Sequence, residues 1–205
     1  MEQSAGDQGW RGSQDGWLEA AQELLLESGV DSVKILPLAK RLKLSRTSFY
    51  WFFKDRAELL DALLDHWQST NTRALIAATE LPSASITEAL ALLYRSWINQ
   101  DGFDTQLDFA IRDWARRSDA VRAVLLSSDN ARIAAIAGMF RRFGYAPAEA
   151  DVRGRMVYFT QIGYATIDQR EGWEVRNARG ETYLYCMTGQ RPSAGELAIL
   201  MVHAV

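Results

Sequence analysis

The stretch at residues 34–56, KILPLAKRLKLSRTSFYWFFKDR, constrains this chain more than any other. Leu38, Ala39 and Leu42 recur at helical spacing, which predicts a short amphipathic helix over 34–42. Pro37 is tolerated there, because a residue in the first turn has no intrahelical partner for the N–H that proline lacks. Lys43 and Leu44 make a tight turn. Ser45 is placed to cap the next helix, its hydroxyl accepting from an orphan backbone N–H.

That next helix, 46–52, divides into two faces at about 100° per residue. Ser48, Phe49 and Phe52 fall on a side apolar enough to bury, and Arg46, Thr47, Tyr50 and Trp51 fall on the other. The second face carries a cation, a hydroxyl, a phenol and an indole, groups that reach base edges, thymine methyls and phosphates. The bland reading, an exposed face that happens to carry aromatics, is weakened by the charge around it. Lys34, Lys40, Arg41, Lys43, Arg46, Lys54 and Arg56 crowd this stretch, although the whole chain has a net charge of −3. A basic patch on an acidic chain is what contact with phosphates needs. The candidate DNA-contacting residues are Lys34, Ser45, Arg46, Thr47, Tyr50, Trp51, Lys54 and Arg56.

Leu38-Ala39, Leu44-Ser45, Phe49-Tyr50-Trp51-Phe52-Phe53 and Asp55-Arg56-Ala57-Glu58-Leu59-Leu60 together resemble the DNA-binding domain of the TetR (tetracycline repressor) family. Order, spacing and residue type agree over about residues 15–66. Lys43 stands where the family's turn usually has Gly, Lys54 where Pro is frequent, and Arg56 where a Lys lies near the DNA backbone. If Lys43 must take a positive φ it carries strain. The resemblance implies an all-α fold: an N-terminal three-helix helix-turn-helix domain, then a C-terminal helical domain for ligand binding and dimerisation. It also implies a homodimer on double-stranded operator DNA, released by a small, partly apolar effector.

Composition agrees with an ordinary soluble globular chain of 205 residues, 48% hydrophobic and 24% charged. One cysteine, Cys186, allows no internal disulfide and fits a reducing cytoplasm. Two histidines beside one cysteine suggest no zinc cluster, and no cofactor is expected. No apolar run approaches membrane-spanning length, so no membrane partner is expected.

Along the chain, residues 1–14 read as a mobile tail, 15–66 as the DNA-binding domain, 67–190 as the effector-binding and dimerisation domain, and 191–205 as a tail or short helix. Asp15 is the expected cap of a first helix that Gly29 closes. Asp55 caps a long helix running from Arg56 to about Ala78. Further helices are expected over 86–99, 104–117, 118–142 and 148–169. Over 174–188 the pattern is interrupted by Arg179-Gly180.

The second domain is dense in aromatics. The candidate pocket residues are Asn71, Trp97, Phe103, Gln106, Phe109, Arg112, Tyr158 and Gln161, although any single aromatic is more often core than ligand contact. Helix 148–169 carries Met156, Phe159 and Gly163, and the resemblance makes it a dimer helix. A dimer also follows from the reading geometry. One reading helix covers few base pairs, whereas a two-fold pair reaches successive major grooves about 34–36 Å apart.

Two other readings compete. In one, the chain is a DNA-binding adaptor whose second domain binds a protein; a closed, well-filled second domain would favour it. In the other, it is an all-α enzyme, and no paired-carboxylate, Cys/His, metal or Gly-rich phosphate motif supports that.

Overall fold

The computed structural model describes residues 12–98, 102–167 and 171–201, and its regular elements are helical throughout the described residues. The chain divides into two compact units, one built from Met1–Gln68 and Gln106–Ala123, the other from Ser69–Thr105 and Val124–Val205. Most of the expected N-terminal tail lies outside the described residues.

In the first unit, α1 (Gln14–Ser28), α2 (Ile35–Leu42), α3 (Arg46–Phe49) and α4 (Arg56–Trp67) surround a core that includes Trp17, Leu25, Leu38, Phe49 and Leu63. Ser13, not Asp15, caps α1. Its backbone is extended, and its hydroxyl accepts from the Gly16 N–H at 3.0 Å. Gly29 ends the helix at φ 74°, as expected of a residue free of a Cβ, and its N–H donates to Leu25 O. Asp55 caps α4 by accepting from the Glu58 N–H at 3.0 Å, while Glu58 accepts from the Lys54 N–H at 2.5 Å. Asp55 thus satisfies one orphan donor of α4, and Glu58 ties back the residue before the cap.

The same unit takes in α7 (Thr105–Ala115) from Gln106 onward. Leu107, Ile111 and Trp114 are buried on it. Asp108, almost wholly buried, accepts from Trp67 Nε1 at 3.0 Å and from Arg112 Nε at 2.9 Å. A buried carboxylate would be costly alone, and here it is both paired and hydrogen-bonded. Arg117 adds exposed pairs to Asp31 and Asp113.

The expected long helix from Arg56 is not uniform. After α4 it widens into a π segment at Gln68–Thr72 before resuming as α5 (Arg73–Thr79). Asn71 and Thr72, neighbours in sequence, are both buried there. Asn71 clasps the backbone of Asp104, donating to its carbonyl at 2.7 Å and accepting from its N–H at 3.1 Å.

In the second unit, α6 (Ile86–Ile98) is central. It packs against α5, α11 (Gly180–Thr188) and α12 (Ala194–Met201). α8 (Asp119–Arg142) and α9 (Pro147–Ile167) contribute Ile133, Ile136, Phe140, Val157 and Tyr158 to the same core. Gly154 permits a close approach of these two helices, since a Cβ there would lie 3.0 Å from the Ala137 nitrogen. Arg132, fully buried, donates to Thr72 Oγ1 at 3.0 Å and to the Tyr158 hydroxyl at 3.1 Å; Tyr158 donates in turn to Asp129 at 2.6 Å. The interrupted 174–188 pattern resolves into α10 (Trp173–Ala178) and α11, joined at Arg179.

The N-terminus of α12 is tied to that of α6. Ser193 caps α12 in a capping box with Glu196, whose other carboxylate oxygen accepts from the hydroxyls of Ser85 and Thr87. Burial pushes the Glu196 carboxyl up. The hydroxyls of Ser85 and Thr87 and the donors of Ser193 outweigh that and bring it down to about 2.

Candidate nucleic-acid interface

The turn between α2 and α3 is made by Lys43 at φ 56° and ψ 36°, the left-handed conformation anticipated from the sequence. Its N–H donates to Lys40 O and that of Leu44 donates to Ala39 O, which satisfies the end of α2. Ser45 then caps α3, its hydroxyl accepting from the Ser48 N–H at 3.2 Å and lying 2.9 Å from the Ser48 hydroxyl.

The second helix is shorter than its periodicity predicts. Regular α geometry ends at Phe49, and the chain continues to Phe52 through tighter i→i+3 bonds: Tyr50 to Thr47, Trp51 to Ser48 and Phe52 to Phe49. Phe53, rather than Phe52, is the second aromatic wholly in the core. Its ring stacks on Phe49 at 5.5 Å, and Trp17 meets Phe49 edge-on at 5.4 Å. Ser48 and Phe49 are buried, as the face assignment requires.

The opposite face is open. Arg46, Thr47, Tyr50 and Trp51 are all exposed, with Tyr50 at 47% and Trp51 at 63%; the Tyr50 ring meets Phe49 edge-on at 5.5 Å and still presents its outer edge to solvent. Arg46 donates to the Tyr50 hydroxyl at 3.2 Å with its guanidinium 5.9 Å from the ring centroid, which holds the two side chains together on that face. Lys34, Lys40, Lys43 and Lys54 are exposed around it, and they form no ion pair among the described residues.

Two cations of the patch have structural duties. Arg41 is bound by Glu23 and Glu27 of α1. Arg56, expected near phosphate, turns inward instead: its Nε donates to Val33 O at 2.5 Å and its Nη2 to Val30 O at 2.7 Å. This accounts for a cation in the first turn of a helix, where the dipole alone disfavours it.

In the second unit a cavity of about 70 Å³, open to solvent, is lined by Tyr94 and Ile98 of α6, Thr160, Gln161 and Tyr164 of α9, and by residues of α10–α12. Of the eight candidate pocket residues, Gln161 lines it and the others do not. Trp97, Phe103 and Tyr158 are buried in the core, and Asn71 is spent on Asp104. Arg112 is paired with Asp108, while Gln106 and Phe109 are exposed on α7 of the other unit. Sequence reasoning missed Arg176, Asn177 and Tyr183 because they come from the interrupted segment, whose break decides which side chains face inward.

Of the candidate dimer residues, Met156 and Phe159 are exposed, and an added Cβ at Gly163 would meet nothing within 4 Å. With Val152 and Ile167, both also exposed, they form one apolar stripe at three- and four-residue spacing along α9.

A helix-turn-helix unit with a basic, aromatic outer face, joined in sequence to a second helical unit, defines a class of helical DNA-binding regulator. Residues 18–63 match the family model of bacterial regulatory proteins of the tetR family. Residues 18–63 therefore carry a tetR-family DNA-binding domain. A curated relative, the class G tetracycline repressor protein of Vibrio anguillarum, is 46% identical over 46 residues, 22% of either chain, so the match spans about a fifth of that relative's length. Among solved structures, Salmonella enterica GusR superposes with a TM-score of 0.63 at 17% identity, covering 92% of this chain and 95% of its own. Mycobacterium smegmatis AmtR gives 0.61 at 20% identity, covering 98% and 96%. The transcriptional regulator FadR of Bacillus subtilis, in complex with stearoyl-CoA, gives 0.59 at 16% identity, covering 86% and 98%. These neighbours share the fold. Among the described residues no helix is long and apolar enough to cross a membrane.

Proposed function

We propose that this protein is a sequence-specific transcriptional repressor that binds operator DNA as a homodimer and leaves it when a small effector binds the second unit. The observation that carries the reading is the exposed face of Arg46, Thr47, Tyr50 and Trp51, set on the buried anchors Ser48 and Phe49. Tyr50 and Trp51 offer apolar edges to thymine methyls, Arg46 offers paired donors to guanine, and the surrounding lysines neutralise phosphates.

The dimer is formed by α9. Its stripe of Val152, Met156, Phe159 and Ile167 has the spacing of a helix–helix seam, and Gly163 within it lets two backbones come close. The occupant is a second copy, because a two-fold pair is what places two reading faces on successive major grooves. The cavity supports an effector over a protein partner for the second unit, since it is a largely apolar recess with a few convergent polar groups, the lining a small molecule needs. FadR of Bacillus subtilis, of the same fold, was solved with stearoyl-CoA. Effector binding then shifts the dimer toward a spacing of reading faces that misfits the operator.

Arg46→Ala and Tyr50→Ala test the reading face. Each is expected to weaken operator binding by about tenfold or more, which is about 1.4 kcal/mol, while leaving the dimer intact. Undiminished affinity in both would move the reading surface elsewhere.

A further inference from the structure

The cavity of the second unit has a definite donor balance. Its walls are largely hydrocarbon and ring: Ile98, Leu184 and Leu200 with the rings of Tyr94, Tyr164 and Tyr183. Among the described residues no carboxylate lines it, and Arg176 is the one charged lining residue. The Arg176 guanidinium is half-buried, 5.1 Å from the Tyr164 ring centroid, and pairs with no carboxylate among the described residues.

The Tyr94 hydroxyl is shut off from solvent and has no hydrogen-bond partner. An orphaned buried hydroxyl is costly, and a ligand acceptor would satisfy it. Burial, with Tyr183 and Tyr164 nearby, holds this phenol well above its ordinary pKa, so it remains a donor. The Tyr164 and Tyr183 hydroxyls lie 2.7 Å apart. One donates to the other, and the acceptor of that bond keeps its own O–H for a further partner. Glu171, near Tyr183, is paired with Arg179, so among the described residues the cavity offers phenolic donors and a cation, Arg176, without a matching anion.

We propose that this cavity binds a small, mainly apolar carboxylate, its charge held by Arg176 and the phenolic donors and its hydrocarbon body laid against the tyrosine rings and Leu184 and Leu200. This rests on the effector-responsive reading above and names the chemistry of that effector. The same cavity is bounded by α9, which carries the exposed apolar stripe, and by the junction of α10 and α11. A ligand there has a direct route to the dimer seam.

The test uses the full chain and calorimetric titration with a graded series of acids, from phenylacetate and 3-phenylpropanoate to octanoate and decanoate, each beside its neutral primary amide. At least one acid is expected to bind saturably below 1 mM and at least tenfold more tightly than its amide. Arg176→Gln is expected to weaken that acid about tenfold and leave the amide unchanged, and Tyr94→Phe to weaken it several-fold, with helicity and dimer mass unaltered in both. The proposal is overturned if no acid of the series binds, if amides bind as well as acids, or if Arg176→Gln leaves the acid's affinity unchanged. Operator binding is measured in parallel without any acid. DNA binding that persists while every acid fails removes the ligand class alone; an acid that binds without releasing operator removes ligand release alone.

Discussion

Arg56 donates from its Nε to the carbonyl of Val33 at 2.5 Å. With the second bond to Val30, this fastens the start of α4 to the short 3₁₀ turn at Val30–Ser32, which leads into α2. A Lys at this position, as the family pattern prefers, could make one such bond but not the fork.

Arg56→Ala is therefore expected to lower the stability of the helix-turn-helix unit by about 2 kcal/mol, the scale of hydrogen bonds from a charged group. Arg56→Lys should recover part of the loss. Urea unfolding followed by tryptophan fluorescence measures both. If Arg56→Ala unfolds with the wild-type midpoint, the fork carries no stability.

Lys43 sits in the left-handed region at φ 56°, which costs a side-chain-bearing residue about 1 kcal/mol. Lys43→Gly is expected to stabilise the protein by about that amount, less the added freedom glycine brings to the unfolded chain. The same change removes one exposed cation, so operator affinity should fall modestly while the melting temperature rises. A lower melting temperature would mean that the Lys43 side chain contributes packing that its conformation does not reveal.

Much of this unit was legible in the sequence because its determinants are local. A turn between two amphipathic segments, Ser45 before the second and Asp55 before the third each specify a cap without reference to distant residues. Lys43 stands where the resembling family has Gly, which raised a positive φ as a condition, and the turn takes it at φ 56°. The length of α3 was not legible, because Phe52 and Phe53 are equally apolar and only tertiary packing decides which enters the core beside Phe49. The role of Arg56 was hidden for a related reason: its partners are carbonyls, which no sequence pattern marks. The cavity was least legible. Tyr94, Tyr164 and Tyr183 meet across distant segments, and the α10–α11 break sets which face of each presents inward. Aromatic density in Trp97, Phe103 and Tyr158 marked the core of the second unit instead.

Phe159 is 55% exposed midway along the α9 stripe, where a second copy would cover it. Phe159→Glu places a charge in that seam and is expected to shift the protein to monomer at micromolar concentration without loss of helicity. Operator affinity should fall by at least tenfold with it. Sedimentation and circular dichroism report the two effects separately. A variant that stays dimeric would place the interface on another surface.

Glu196 joins the N-termini of α12 and α6, and its folded-state carboxyl lies at about 2 against an ordinary 4.5. A depressed acid contributes stability above its unfolded pKa and loses it as pH falls toward the folded value. Wild-type stability should therefore decline between about pH 5 and 2. Glu196→Gln should be less stable at neutral pH and show a shallower decline across that window. Parallel wild-type and variant curves would assign the acid sensitivity to other carboxylates.

The central claim is that two copies of the Arg46–Trp51 face read DNA sequence. Selection of binding sites from a random duplex library by the purified, ligand-free protein tests it most directly, with Tyr50→Ala run alongside. The account predicts enrichment of one pseudo-palindromic site whose half-sites lie about one helical turn apart or a multiple of it, and loss or relaxation of that site in Tyr50→Ala. A folded, dimeric wild-type protein that enriches no site, or a Tyr50→Ala protein that enriches the same site as strongly, would contradict it.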